Sequence, residues 1–209
     1  MRSRGLEPFA FRARRVPAGA YTKQPMTDHG STHLPSSADL RECLVRQLDI
    51  AWALTSYHLE GLTTDECLWR PASRGLHVHP TPDGAWRVDW PDDEGYHIGP
   101  ASIAWLTWHL GFWWSMVLDH SFGERTLIRE DVAWPGSAGG VRAWIGALHD
   151  RWRAAIEGMS DADLQSAERT HWPFPDRPFA DVVAWANVEL TKNAAEIGYA
   201  RFLHGGRTG

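Results

Sequence analysis

Long apolar runs are missing from this 209-residue chain. A membrane-spanning helix needs about 18 or more consecutive apolar residues, and the best candidate, 103–118, is interrupted by His109 and crowded with Trp and Gly. Cysteine is scarce as well. Cys43 and Cys67 are the only two, too few for a disulfide framework and without the paired spacing of a metal-binding motif. That usage suits a reducing, cytoplasmic setting. No basic excess exists overall: 21 Lys and Arg against 26 Asp and Glu leave a net charge of −5, which speaks against nucleic acid or anionic membrane as a partner. There is no internal repeat and no low-complexity tract.

What is present fits one domain. The length allows a sizeable core but not two comfortable ones, and 43% hydrophobic with 22% charged residues is the balance of a soluble globular chain. Two residue types are over-used: 13 Trp and 11 His. Residues 1–37 carry no periodicity and read as a flexible arm. Arg2, Arg4, Arg12, Arg14, Arg15 and Lys23 against Glu7 give its first 26 residues a charge of +5, leaving −10 on the rest. Its basic residues precede no apolar run or small-residue cleavage site, so the pattern is not that of a secretory signal. Starts at Met1 and at Met26 stay open as alternatives.

Residues 38–209 read as a bundle of four long helices. The first runs from about Asp39 to Glu60 on Leu40, Leu44, Leu48, Trp52 and Leu59, with Cys43 turned to the core, and Gly61 closes it. A short turn over 63–68 precedes Pro71. The second helix, about 100–120, opens on Pro100 and steps through Ile103, Leu106, Leu110, Trp113 and Val117. The third spans about 140–158 and the fourth about 179–204. Between the first two lies a Trp-rich insertion, 71–99, in which His77-Val-His79 and Trp86-Arg-Val-Asp-Trp90 alternate around Pro82-Asp83-Gly84. A short β-hairpin packed over one end of the bundle is expected there.

Polar residues on core-facing stripes mark the candidate site, because a buried polar group is costly without a partner. On the last helix Glu189, Asn193 and Glu196 step by four and three along the apolar seam. His109 sits among Leu106, Leu110 and Trp113 on the second helix, and His58 lies near the end of the first. Two imidazoles and carboxylates on facing helices have the composition of a bundle-core metal centre. The plainer alternatives are hydrogen-bonded structural histidines, Glu196 paired with Arg201 or Arg70, and tryptophans serving as core and dimer face. His77 and His79 could chelate on one strand face, a weaker pattern.

The segments Leu62-Thr-Thr-Asp-Glu-Cys-Leu-Trp-Arg-Pro71, Ile103-Ala-Trp-Leu-Thr-Trp-His109-Leu110 and Glu189-Leu-Thr-Lys-Asn-Ala-Ala-Glu-Ile-Gly-Tyr-Ala-Arg201, set on four helices, resemble the DinB-like superfamily over about residues 38–204. The resemblance implies an up-down-down-up four-helix bundle, frequent dimers, and a divalent metal, zinc or nickel, with one ligand from the second helix and two from the fourth. Those positions fall on His109, Glu189 and Asn193. The thiol-dependent maleylpyruvate isomerase branch is similar in placing Glu first, which makes Glu189 a ligand. Asn193 departs from the family pattern, since a neutral amide oxygen suits zinc poorly. His58 is then the substitute that completes a His58, His109 and Glu189 set, ahead of Glu196.

Two functions follow as expectations. In the first the chain is a metal-dependent transferase or isomerase that activates a low-molecular-weight thiol, with Asn193 orienting substrate and Trp105 and Trp113 walling an apolar pocket. In the second it is a non-catalytic homodimer with an impaired metal site. There His109, Glu189 and Asn193 form a hydrogen-bond network beside a pocket for a small apolar or aromatic molecule.

Overall fold

A computed structural model describes residues 37–93 and 95–207; the N-terminal arm and both candidate starts lie outside them. Four long helices form the bundle: α1 (Ser37–Leu59), α3 (Ile103–Phe122), α4 (Ala138–Glu157) and α6 (Phe179–Gly206). Two short helices, α2 (Thr64–Leu68) and α5 (Asp161–Gln165), and a hairpin of β1 (Val78–Pro80) and β2 (Trp86–Val88) complete the regular structure.

Local chemistry sets the boundaries. The buried stripe of α1 is Leu44, Leu48, Ala51, Thr55 and Leu59, spaced by three and four. Cys43, one step off that stripe, is exposed rather than core-facing, because each residue rotates the helix by about 100°. Gly61 ends the segment at φ +66°, the left-handed conformation glycine adopts without strain. The Thr63 hydroxyl accepts the Glu66 N–H at 3.2 Å while the Glu66 carboxylate accepts the Thr63 N–H at 3.3 Å, a capping box that starts α2. Ser102 caps α3 by accepting the Trp105 N–H, so Pro100 sits ahead of the helix and not in its first turn. Ser137 caps α4 likewise. Helix α5, which carries the same Ser-x-x-Asp cap at Ser160 and Asp163, was not anticipated.

Pairings between helices give the topology. Asn187 on α6 donates to the Leu44 carbonyl, and Arg201 donates to the His58 carbonyl. Residue numbers rise together along this seam, so α1 and α6 are parallel. On the other flank of α1, Arg153 bonds Asp49 and His149 stacks on Trp52, which makes α4 antiparallel to α1. His109 meets Asn193, and Trp113 meets Trp185, so α3 runs against α6. The order is up-down-down-up.

Helix α3 is buried nearly all round, as expected for a helix that is apolar on every face. No helix of the described residues is long and apolar enough to cross a membrane. Loops cover its outward flank instead, and the tryptophans fasten them. Trp105 Nε1–H donates to the Asp89 carbonyl of the insertion at 2.7 Å. Trp108 donates to the Val132 carbonyl at 2.7 Å, and Trp134 donates to the Thr107 hydroxyl at 3.2 Å. Each indole buries a large apolar surface and spends its only donor on a partner. The hairpin, paired antiparallel in the register Val78–Val88, therefore lies over the N-terminal half of α3, where Trp90 packs edge-on to Trp108 and Phe112.

Candidate functional site

The polar centre of the bundle lies between α3 and α6. His109 is buried, with its ring stacked on Trp105 one turn earlier (centroids 4.7 Å apart, planes 14°) and edge-on to Trp113 one turn later. Trp113 Nε1–H donates to His109 Nε2 at 2.6 Å. An indole nitrogen can only donate, so Nε2 is the acceptor and the imidazole proton sits on Nδ1. Nδ1–H in turn donates to Asn193 Oδ1 at 3.1 Å. The Asn193 amide is oriented by its Nδ2, which donates to the Glu189 carbonyl one turn back at 2.8 Å. One unbroken chain thus runs from Trp113 through His109 and Asn193 to the α6 backbone.

Burial is the main reason the His109 imidazole is held neutral, with its pKa pushed down to about 3; the Lys192 charge adds to this and the Asn193 bond opposes it. Both ring nitrogens are engaged. As arranged, the ring has no lone pair for a metal ion and no vacant acceptor for a substrate proton.

Among the described residues no three His, Cys, Asp or Glu side chains converge where an ion would sit. Glu189 turns its carboxylate to Lys192, with Oε2 and Nζ 2.7 Å apart, and joins the network through its backbone alone. His58 packs elsewhere. Its ring lies so close to Gly198 that a Cβ there would stand 2.5 Å from its Cε1. Gly198 is five residues past Asn193, about 140° around α6 at 100° per residue, so His58 and His109 address opposite flanks of one helix. The set His58, His109 and Glu189 is therefore not assembled, and these residues as placed do not fit a divalent metal. Glu196 lies on an exposed stretch of α6.

Trp105 and Trp113 are in contact with His109 itself rather than walling an open pocket. Over Trp113 lie Trp172, nearly stacked at 4.8 Å, and Trp185, edge-on at 4.9 Å, with Phe174 beyond. Trp172, Trp185 and Phe174 are half-buried and form the outer layer of the site. Trp172 comes from an irregular loop, where no periodicity could have tied it to His109; Trp185 sits on α6 two turns before Asn193. A separate cleft of about 340 Å³ lies between α3 and α4, lined by Asp119, Asp131, Trp144 and Arg151 among others.

The histidine pair of the hairpin is not a surface chelate. His77 is buried; His79 Nε2 bonds Asp89 at 2.8 Å and its Nδ1 takes an Arg70 N–H at 3.2 Å. The Leu62–Pro71 motif is a clasp. Arg201 of α6 pairs with Glu66 at 2.8 Å, not with Glu196, and donates to the His58 and Glu60 carbonyls that end α1. Cys67 is buried inside this clasp, and that burial pushes its thiol up to about 12, so it offers no nucleophile.

A family model described as the DinB superfamily matches residues 47–197, which include α1 from its middle turns, the clasp, His109 and Asn193. No curated protein matches the chain. With the bundle topology and the α3–α6 centre in place, the match identifies the chain as a member of the DinB superfamily.

Proposed function

We propose that the chain is a binding member of the DinB superfamily whose bundle centre works without metal, and that its ligand is a small planar apolar or aromatic molecule held against Trp113, Trp172 and Trp185. The observation that carries this reading is the double engagement of His109. Where the family resemblance implies a metal ligand, this ring spends one nitrogen on Trp113 and the other on Asn193. The half-buried rings outside it offer faces and edges for stacking, and aromatic pairs of this kind contribute about 0.5–1.5 kcal/mol beyond their buried area.

A second reading is favoured by Glu189, a half-buried carboxylate at the edge of the network. If Trp113 withdraws from Nε2, His109 and Glu189 could share a zinc or nickel ion that lowers the pKa of a low-molecular-weight thiol for transfer to an electrophile. Elemental analysis of tag-free protein beside His109→Ala and Glu189→Ala separates the two. Metal-free protein after reconstitution, whose melting temperature rises with naphthalene or indole in chelator, supports the binding reading. One ion per chain, lost in both variants, transfers the site to the thiol-dependent reading.

A further inference from the structure

Helices α1 and α6 do more than close the bundle. Both leave large apolar side chains in solvent: Ile50 is 74% exposed, Tyr57 70%, Tyr199 65% and Phe202 78%, with Leu54 and Val188 also open. These residues are not scattered. On α1, Ile50, Leu54 and Tyr57 are separated by four and three, one stripe of a helix. It lies on the side next to α6, since Gln47 and His58, which meet Asn187 and Gly198, share that flank. On α6, Val188, Ala195, Tyr199 and Phe202 step by seven, four and three, next to the flank of Asn187 and Gly198 that meets α1. Because the two helices are parallel, the stripes run side by side as one face.

That face carries no charge along its middle. Its remaining positions are Cys43 and Gln47 on α1 and Ala184 and Thr191 on α6. The charged groups sit on its two borders: Glu42, Arg46 and Asp49 along one, Glu189, Lys192 and Glu196 along the other. An apolar centre with a mixed-charge rim is the anatomy of a specific protein interface.

We infer that this α1–α6 face is the surface by which two copies of the chain associate, through a twofold axis. Two observations select a second copy. A twofold interface sets a patch against itself, and a stripe with no charge along its middle meets its own copy without opposing like charges there. The area also suffices: with about 150–250 Å² per aromatic side chain, the six open apolar residues present on the order of 800 Å², one partner's share of a standard interface. Tyr57, Tyr199 and Phe202 are the anchors, since buried aromatics carry most of the energy in such contacts. This inference does not depend on what the bundle centre binds.

Sedimentation equilibrium of the full chain tests it, with Ile50→Glu and Tyr199→Glu in parallel. The wild type is expected at twice 23.5 kDa and each variant at 23.5 kDa, with unchanged helix content by circular dichroism. The two positions lie on different helices and are exposed in the single chain, so loss of fold in one variant leaves the other to report. A wild type that stays monomeric across the concentration range overturns the inference. So does a wild-type dimer that persists in a folded variant, which would place the contact on another face.

Discussion

His109 and Asn193, 84 positions apart, share a single proton bond across 3.1 Å, and its direction is fixed from both ends. Trp113 supplies the donor that forces the proton onto Nδ1, and the Glu189 carbonyl takes the amide hydrogen that leaves Oδ1 facing the ring. Asparagine suits this position because it can accept and donate at once. A neutral histidine could do the same only with its two nitrogens set across a wider ring.

Breaking this bond should be costly because both groups are buried. Asn193→Ala leaves the His109 Nδ1–H without an acceptor, a penalty of about 1–3 kcal/mol, to which the vacated volume adds. Thermal unfolding should show a fall of several degrees, at about 2–4 °C per kcal/mol for a domain of this size. Trp113→Phe removes only a donor and keeps a ring, so its fall should be the smaller. Equal melting temperatures for Asn193→Ala and wild type would show that the bond contributes nothing.

The depressed pKa of His109 gives stability a pH dependence of known sign. In the unfolded chain the imidazole takes up a proton near pH 6.5, while in the fold it stays neutral down to about 3. Its contribution is therefore complete above about 6.5 and is lost progressively as the pH falls through that window. His58 and His77 are also lowered, each chiefly by burial, and act in the same direction. Denaturant unfolding should weaken by about 1.4 kcal/mol per pH unit for each fully shifted histidine. Measurement between pH 6.5 and 4.5, above most carboxylate titration, isolates the histidines. His109→Gln should flatten the slope by about one proton, and an unchanged slope would contradict the assignment.

Freeing the imidazole should create what the wild type lacks. In Trp113→Phe with Asn193→His, His109 regains an open nitrogen and a second imidazole stands one turn past Glu189. The double variant should retain about one zinc per chain after dialysis, an affinity read by competition with a chromophoric chelator. A double variant as metal-free as the parent would mean that the α3–α6 spacing, not the residue types, prevents binding.

The clasp offers an independent test. Arg201→Met strands the Glu66 carboxylate, which is 11% exposed, and two carbonyls at the end of α1. Charge-assisted bonds of this kind are worth about 1.5–3 kcal/mol. Hydrogen exchange should show loss of protection in α2 and the last turn of α1, while the His109 network is unaffected. Protection lost evenly throughout would argue that the clasp is no local fastening.

The helices were legible because their stripes obey one period, and the caps because Thr63-x-x-Glu66 and Ser102 are local signals. His109 and Asn193 could be placed on the core side for the same reason. Their bond to each other is a relation between two helices, fixed by rotation about their axes, and sequence spacing carries no information on that. His58 shows the limit. Its position along α1 matches a site residue, but five residues separate Gly198 from Asn193 on α6, enough to send the two histidines to opposite flanks. Trp172 was invisible because its loop has no period, and Cys43 was misplaced by a single residue of rotation.

The seam between the first and last helices has a consequence for how the chain is made. Its bonds join residues 135 to 143 positions apart, so little of it can form until α6 has been synthesised. Until then Leu44, Leu48 and Ala51 of α1 lack the neighbour that covers one side of them, and the outer apolar stripe is open beside them. Contacts of such long range slow folding, and exposed apolar surface in the meantime invites aggregation. A nascent chain stalled before about residue 187 should thus be a substrate for holding chaperones, and release of the final helix is the event that ends this dependence.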